Sequence, residues 1–399
     1  MQFHHLMALA VLIPLSPAWS RDLHVGSADV PTIAAAIKIA QPGDTIHLEA
    51  GKVYRDYAGF YGKKGAPGQP ITLEGHGATL EGSDPIDPAQ WKETAPGLFA
   101  NDALLPRLDD AIIGRWFFLW DGKMNHMGRT SKGTQAPLKK PEDLQPGEWT
   151  FVKDPARAKP GSLQIFGTFY VKLAPGAKLS DANIAAPVRS AGVQFSGENA
   201  HLVIRNISAT HPYNDGFNIH GDCRDVVFEN IRAIDCGDDG ISAHETAEYR
   251  VDGLISIGNS TGICDTVAAK TSYRRVFIAD CLGYDLFFLD DGRYRIEHAI
   301  VLSRAQNPFV VTGRETKHCE LDIDNLLFRR VGPPKPAFIE KTAVVRAARL
   351  SMEGIDWDNR GELKITGKGA DVAAIWESYG PEMRAFLAAR YGGQLGGLR

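Results

Sequence analysis

Residues 203–266 state nearly the same phrase three times at a fixed interval, and that interval restricts what the chain can fold into. Val203-Ile204-Arg205-Asn206-Ile207 returns as Val227-Phe228-Glu229-Asn230-Ile231 and again as Arg250-Val251-Asp252-Gly253-Leu254. Asn206 and Asn230 are 24 residues apart, Ile231 and Leu254 are 23. A second phrase keeps the same step, Asp215-Gly216-Phe217-Asn218-Ile219-His220 becoming Asp239-Gly240-Ile241-Ser242-Ala243-His244. The units are short runs rich in Val, Ile and Phe broken by Gly, Asp and Asn, with no helical period. Short strands on a rung of this length suit a solenoid whose turns stack on one another. The expected fold is all-β, a right-handed parallel β-helix. A lone β coil has no partner for its backbone, so only the stack is stable, and the stack presents a long groove.

The flanking segments read as caps and an interruption. Residues 6–15 form an apolar run too short to span a bilayer, followed by Ala18-Trp19-Ser20, the pattern of a secretory signal peptide. The expectation is therefore a secreted or periplasmic protein without a membrane span. Residues 21–83 should hold an N-terminal helical cap and the first coils. A helix is expected over Thr32–Ala40, begun by Asp29 and Pro31, with Ile33, Ala36, Ile37 and Ala40 on one face. Residues 84–190 break the repeat with Pro-rich turns and aromatic strands, and read as a β-rich insertion packed on the early coils. Regular coils should run over 191–345, about six of them, with Ile207, Ile231 and Leu254 in one inward column. In 346–399, Val372, Ile375, Trp376, Tyr379, Met383, Phe386 and Leu387 recur at helical spacing, the mark of a C-terminal helical cap.

The five cysteines, Cys223, Cys236, Cys264, Cys281 and Cys319, show no CxxC spacing, which argues against a zinc ribbon and favours buried rung positions. A net charge of −4 gives no support to nucleic-acid binding. Locally, residues 201–269 hold four basic and eleven acidic residues, and 270–350 hold fourteen and ten. That order suits a cation followed by an anionic substrate.

The carboxylates Asp215, Asp238 and Asp239, with Asp265 one coil on, are the leading chemical candidates. Equivalent positions on stacked rungs lie about 4.8 Å apart. Carboxylates that close either share a cation, as in an oxygen-ligand Ca²⁺ site, or one keeps its proton and becomes an acid beside a base. Repeated Asp-Gly is also ordinary turn chemistry. Alternation points His220 and His244 outward on adjacent rungs, where an imidazole can serve as acid or base. Lys270, Arg274, Arg275, Arg293 and Arg295 follow the acidic coils and are candidates to neutralise a substrate carboxylate or take a proton. Trp116, Trp120 and Trp149 are either sugar platforms or core aromatics.

Two resemblances rest on these residues. The stretches Thr32–Asp56 and Gly62–Ser83 resemble the opening of secreted β-helix proteins of the pectate-lyase-like superfamily. Asn214–Phe217 followed by Gly237–Ser242 resembles the calcium-dependent pectate and exopolygalacturonate lyases, in which the matching aspartates bind Ca²⁺. Ser242 stands where that pattern has a further Asp, and the family's base lysine has no match, the nearest stretch being Leu286–Leu289. Asn214-Asp215, Asp238-Asp239 and Arg293-Tyr294-Arg295 also resemble polygalacturonase-type hydrolases, with Ser260-Thr261-Gly262 in place of their Gly-His-Gly. The first resemblance implies β-elimination on an acidic, uronic-acid-containing polysaccharide, with Ca²⁺ on Asp215, Asp238 and Asp239 and a base among His244, Lys270 and Arg293. The second implies glycoside hydrolysis by the same carboxylates. A non-catalytic carbohydrate-binding β-helix is the third reading.

Overall fold

The computed structural model describes residues 20–314 and 317–395. The segment read as a signal peptide thus falls, except for Ser20, outside the described residues. Two parallel sheets dominate, one of twelve strands and one of nine. Each rung gives a long strand to the first, such as Asn199–Thr210, Cys223–Ile234, Glu248–Ile257 and Lys270–Ala279. It gives a short strand to the second, such as Phe217–Ile219, Asp239–Ala243 and Thr261–Asp265. Ile231 stands opposite Leu254 and Leu254 opposite Val276. Ile207, Ile231 and Leu254 all enter the single core that runs through the coils. The fold is the expected parallel β-helix.

The long strands bend, and the repeated Asn marks where. Asn206 and Asn230 have φ of +54° and +51°, and the next three coils place Gly253, Arg275 and His298 in the same left-handed conformation. Asn tolerates that region better than most residues because its short amide bonds locally. Here the Asn230 side chain donates to Asn206 Oδ1 at 3.2 Å, and Asn206 donates to Glu74 at 2.9 Å. One left-handed residue per rung turns each strand across a corner without breaking the ladder.

The ends are covered differently. A helix at Ile33–Ile39 begins at Thr32, whose hydroxyl accepts from the Ala35 amide at 3.1 Å, rather than at Asp29. Its buried Ile33, Ala36 and Ile37 join the coil core and close its first turn. The C-terminal helices, Val372–Ser378 and Pro381–Leu395, lie along the flank instead. They pack Ile375, Tyr379, Leu387 and Tyr391 on outward-facing Ile255, Phe277, Ile300 and Leu327. Among the described residues no helix is long and apolar enough to cross a membrane. All five cysteines are buried and free.

The insertion folds into two four-stranded antiparallel sheets. They enclose their own core of Trp116, Phe118, Trp149 and Phe169. Trp116 and Trp149 are wholly buried, so they are packing residues and not sugar platforms, and Trp120 leans on the same cluster. The insertion reaches past the early coils to the middle ones. Its Thr134 hydroxyl bonds Gln306 at 2.9 Å, and the Lys132 amide donates to Ser260 at 3.3 Å.

Candidate functional site

The Asp-Gly repeat has a packing cause. A Cβ on Gly216 would lie 2.8 Å from that of Ala233, and one on Gly240 would lie 2.2 Å from Ser256 Oγ and 2.8 Å from Asn259 Nδ2. These neighbours are coil interior. Gly240 and Ile241 therefore both face inward, strand alternation slips, and Asp239 is thrown to the outer face with Ser242. Asp215 follows the same rule one rung earlier.

Asp215, Asp238 and Asp239 converge as expected, with an oxygen from each within 4.8 Å of the others, a grouping that could hold a metal ion. They are not open to solvent, however, being only 2%, 6% and 2% exposed. The insertion covers them and supplies cations. Lys132 Nζ donates to Asp238 Oδ1 at 2.6 Å and to Asp239 Oδ1 at 2.5 Å. Arg115, the C-cap of the short helix Asp110–Gly114, donates to Asp238 Oδ2 at 2.9 Å and also to Asn214. The Ser131 hydroxyl donates to Asp238 as well. Asp215 accepts from the Asp239 amide at 3.0 Å and from Ser242 Oγ at 2.7 Å. Ser242, which replaces a carboxylate of the lyase pattern, is thus a hydrogen-bond donor to the cluster. Calcium does not fit beside these groups. Both Asp238 oxygens are engaged by cationic donors, and the point between Asp238 and Asp239 is filled by the ammonium.

The fields on the three carboxylates differ. Burial raises Asp239, the neighbouring charge of Asp238 adds to it, and the acid lies well above its ordinary range. Asp215 is raised by burial and by Asp238. Burial would raise Asp238 too, but Lys132 and Arg115 outweigh it and hold it below the usual range. Burial works against the Lys132 charge, yet Asp238 and Asp239 keep it firmly protonated. Two cations against three carboxylates leave one negative charge, which a proton on Asp239 removes. Environments that drive neighbouring carboxyls apart mark an acid and a base.

His220 and His244 stack with centroids 4.0 Å apart and planes within 3°. His220 Nδ1 bonds Glu245 at 3.2 Å. Burial, reinforced by His220, lowers His244 to about 4, so it is neutral at pH 7 and a weaker base than a free imidazole. Lys270 and Arg293 are not brought to the carboxylates. They line a separate depression of about 370 Å³ with Asp225, Glu248 and Arg250. Arg274 and Arg275 pair with Asp252, and Arg295 with Glu297. Asp265 leaves the outer set entirely: opposite inward Ala243, it lies inside the coil beneath Tyr249, Thr271 and Tyr273. Sequence reasoning missed Lys132 and Arg115. Lys132 lies 106 residues from Asp238 in an unrepeated Thr-Ser-Lys-Gly-Thr stretch, and only the docked insertion gives it meaning.

No protein-family model matches the sequence, and no curated protein matches it. Solved structures do. A glycoside hydrolase is similar over 92% of this chain and 100% of its own, with a TM-score of 0.54 at 10% identity. A pectate lyase, Pel9A, matches over 89% of this chain and 79% of its own (TM-score 0.43, 10% identity). An alginate lyase from Paenibacillus sp. str. FPU-7 matches over 88% and 99% (TM-score 0.42, 12% identity). The likeness is one of fold, a scaffold that hosts several chemistries.

Proposed function

We propose that this protein is an exported hydrolase of an acidic carbohydrate, with Asp239 as proton donor and Asp238 as the ionised partner. The observation that carries this reading is a pair of adjacent buried carboxyls in opposed fields, Asp238 paired with Lys132 and Arg115 and held low, Asp239 raised by burial and by the charge of Asp238. In the reaction Asp239 gives its proton to the glycosidic oxygen as that bond breaks, and the Asp238 carboxylate bonds the anomeric carbon. A water deprotonated by Asp239 then cleaves that glycosyl ester and frees Asp238, the course that suits carboxyls with oxygens within 4.8 Å. The insertion covers the cluster and brings Lys132 and Arg115 against it, cations to which a uronate carboxylate is suited. The glycoside hydrolase that shares the fold at a TM-score of 0.54 agrees with a saccharide substrate.

The test is incubation with a panel of uronate and neutral polysaccharides, with and without chelator. New reducing ends without an ultraviolet-absorbing product, unaffected by chelator, are expected. Asp239→Asn should lower the rate about 10²–10⁴-fold, the usual share of a general acid. Unsaturated products that vanish with chelator would show calcium-dependent elimination instead. Saccharide binding without either product would show a carbohydrate-binding protein.

A further inference from the structure

We infer that Lys132 is a built-in counter-ion standing where a divalent cation would otherwise sit, so that removing it converts the carboxylate cluster into a calcium site. Three observations lead there. The ammonium nitrogen is 2.6 Å from Asp238 Oδ1 and 2.5 Å from Asp239 Oδ1, and Ca²⁺ takes oxygen ligands at about 2.3–2.6 Å. A calcium ion at the nitrogen's position would therefore find two carboxylate oxygens already at bonding distance. Asp215 brings a third oxygen within 4.8 Å of those of the other two. Finally, the three are buried, and carboxylates gathered away from water need a compensating positive charge.

Lys132 is carried by the insertion, and its placement is built from both sides. Its backbone amide bonds Ser260 at 3.3 Å. On the coil side, a Cβ at Gly283 would lie 2.6 Å from the Lys132 carbonyl oxygen, so glycine there admits the turn of the insertion that bears the lysine. The ammonium thus both neutralises the cluster and fastens the insertion to the coils. With it present, an entering Ca²⁺ would have to displace a cation from the same oxygens. The wild-type protein is accordingly metal-independent. This inference concerns charge and geometry, and does not rest on the hydrolytic reading.

The experiment is titration of calcium by calorimetry, and of Tb³⁺ by luminescence, into the full-length protein, Lys132→Ala, and Lys132→Ala/Asp239→Asn. Wild type should show no saturable binding. Lys132→Ala should bind with a dissociation constant of about 10⁻⁴–10⁻³ M, the range of extracellular calcium modules, and its melting temperature should rise with calcium. The double variant should bind at least tenfold more weakly. If Lys132→Ala folds only when calcium is supplied, the inference is equally supported. Calcium binding by wild type that Asp239→Asn abolishes would overturn it. So would a folded Lys132→Ala that binds nothing, or one that stays unfolded with and without calcium. Polysaccharide cleavage is measured separately, so inactivity of the wild type would count against the proposed reaction and leave the metal result standing.

Discussion

Asp265 is the residue whose placement has the clearest thermodynamic consequence. It is wholly buried in the coil, accepting from Thr271 Oγ1 at 2.6 Å and from Tyr273 OH at 2.8 Å. Burial lifts it to about 7, against about 3.9 for a free Asp. The folded chain therefore holds a proton that the unfolded chain releases between those values. Stability from this group is full below about pH 4 and falls as pH rises toward 7, by at most about 4 kcal/mol. Asp265→Asn keeps the shape of the neutral acid without the ionisation. It should match wild type in urea unfolding at pH 4.5 and exceed it at pH 8. Equal pH dependence of the two proteins would show that the carboxyl does not titrate in this range.

At the scale of the element, the governing device is the left-handed corner of each long strand. Asn206, Asn230 and Gly253 follow one another in that column, and Gly253 shows that the conformation matters more than the amide. Asn230→Val would put a β-branched residue at φ of +51° and lose the bond to Asn206. It should cost about 1–2 kcal/mol in chemical denaturation, and Asn230→Gly clearly less. If Gly were as damaging as Val, the side-chain ladder and not the backbone would hold the corner. The same distinction runs through the Asp-Gly steps, where glycine is required by inward crowding against Ser256 and Asn259. The aspartates then face outward as a by-product of that packing.

For the whole molecule, stacking solves the backbone problem but leaves flanks and edges to be covered. The last long-sheet strand, Glu362–Ile365, is short and bears Glu362 and Lys364, features that discourage pairing with other chains. The C-terminal helices cover an apolar stripe on the side of the middle coils. A chain ending at Asp371 would expose Ile255, Phe277, Ile300 and Leu327. It should bind a hydrophobic dye and elute as aggregate in size-exclusion chromatography, while circular dichroism still reports β structure. A monomeric, dye-silent truncation would mean the helices do not guard that stripe.

The repeat alone determined the β-helix, because a period of 23–24 residues is a local rule restated on every rung. Ile207, Ile231 and Leu254 could be aligned by counting, and so could Asp215 with Asp239 and His220 with His244. Reading the rungs by spelling failed at Asp265: the step there is 22 residues, Asp239 facing Thr261, so Asp265 falls opposite inward Ala243 and lies inside the coil. It failed also for groups brought in from outside the repeat. Lys132 and Arg115 belong to a separately folded insertion, and their partners are chosen by how its two sheets dock on the coils. Apolar periodicity likewise identified helices near residues 372–387, but which coil face would receive them depended on the outward stripe assembled from four rungs. Local periodicity determines stacking; the contacts between stacked and unstacked parts decide which charges meet, and hence the protonation states on which any chemistry here depends.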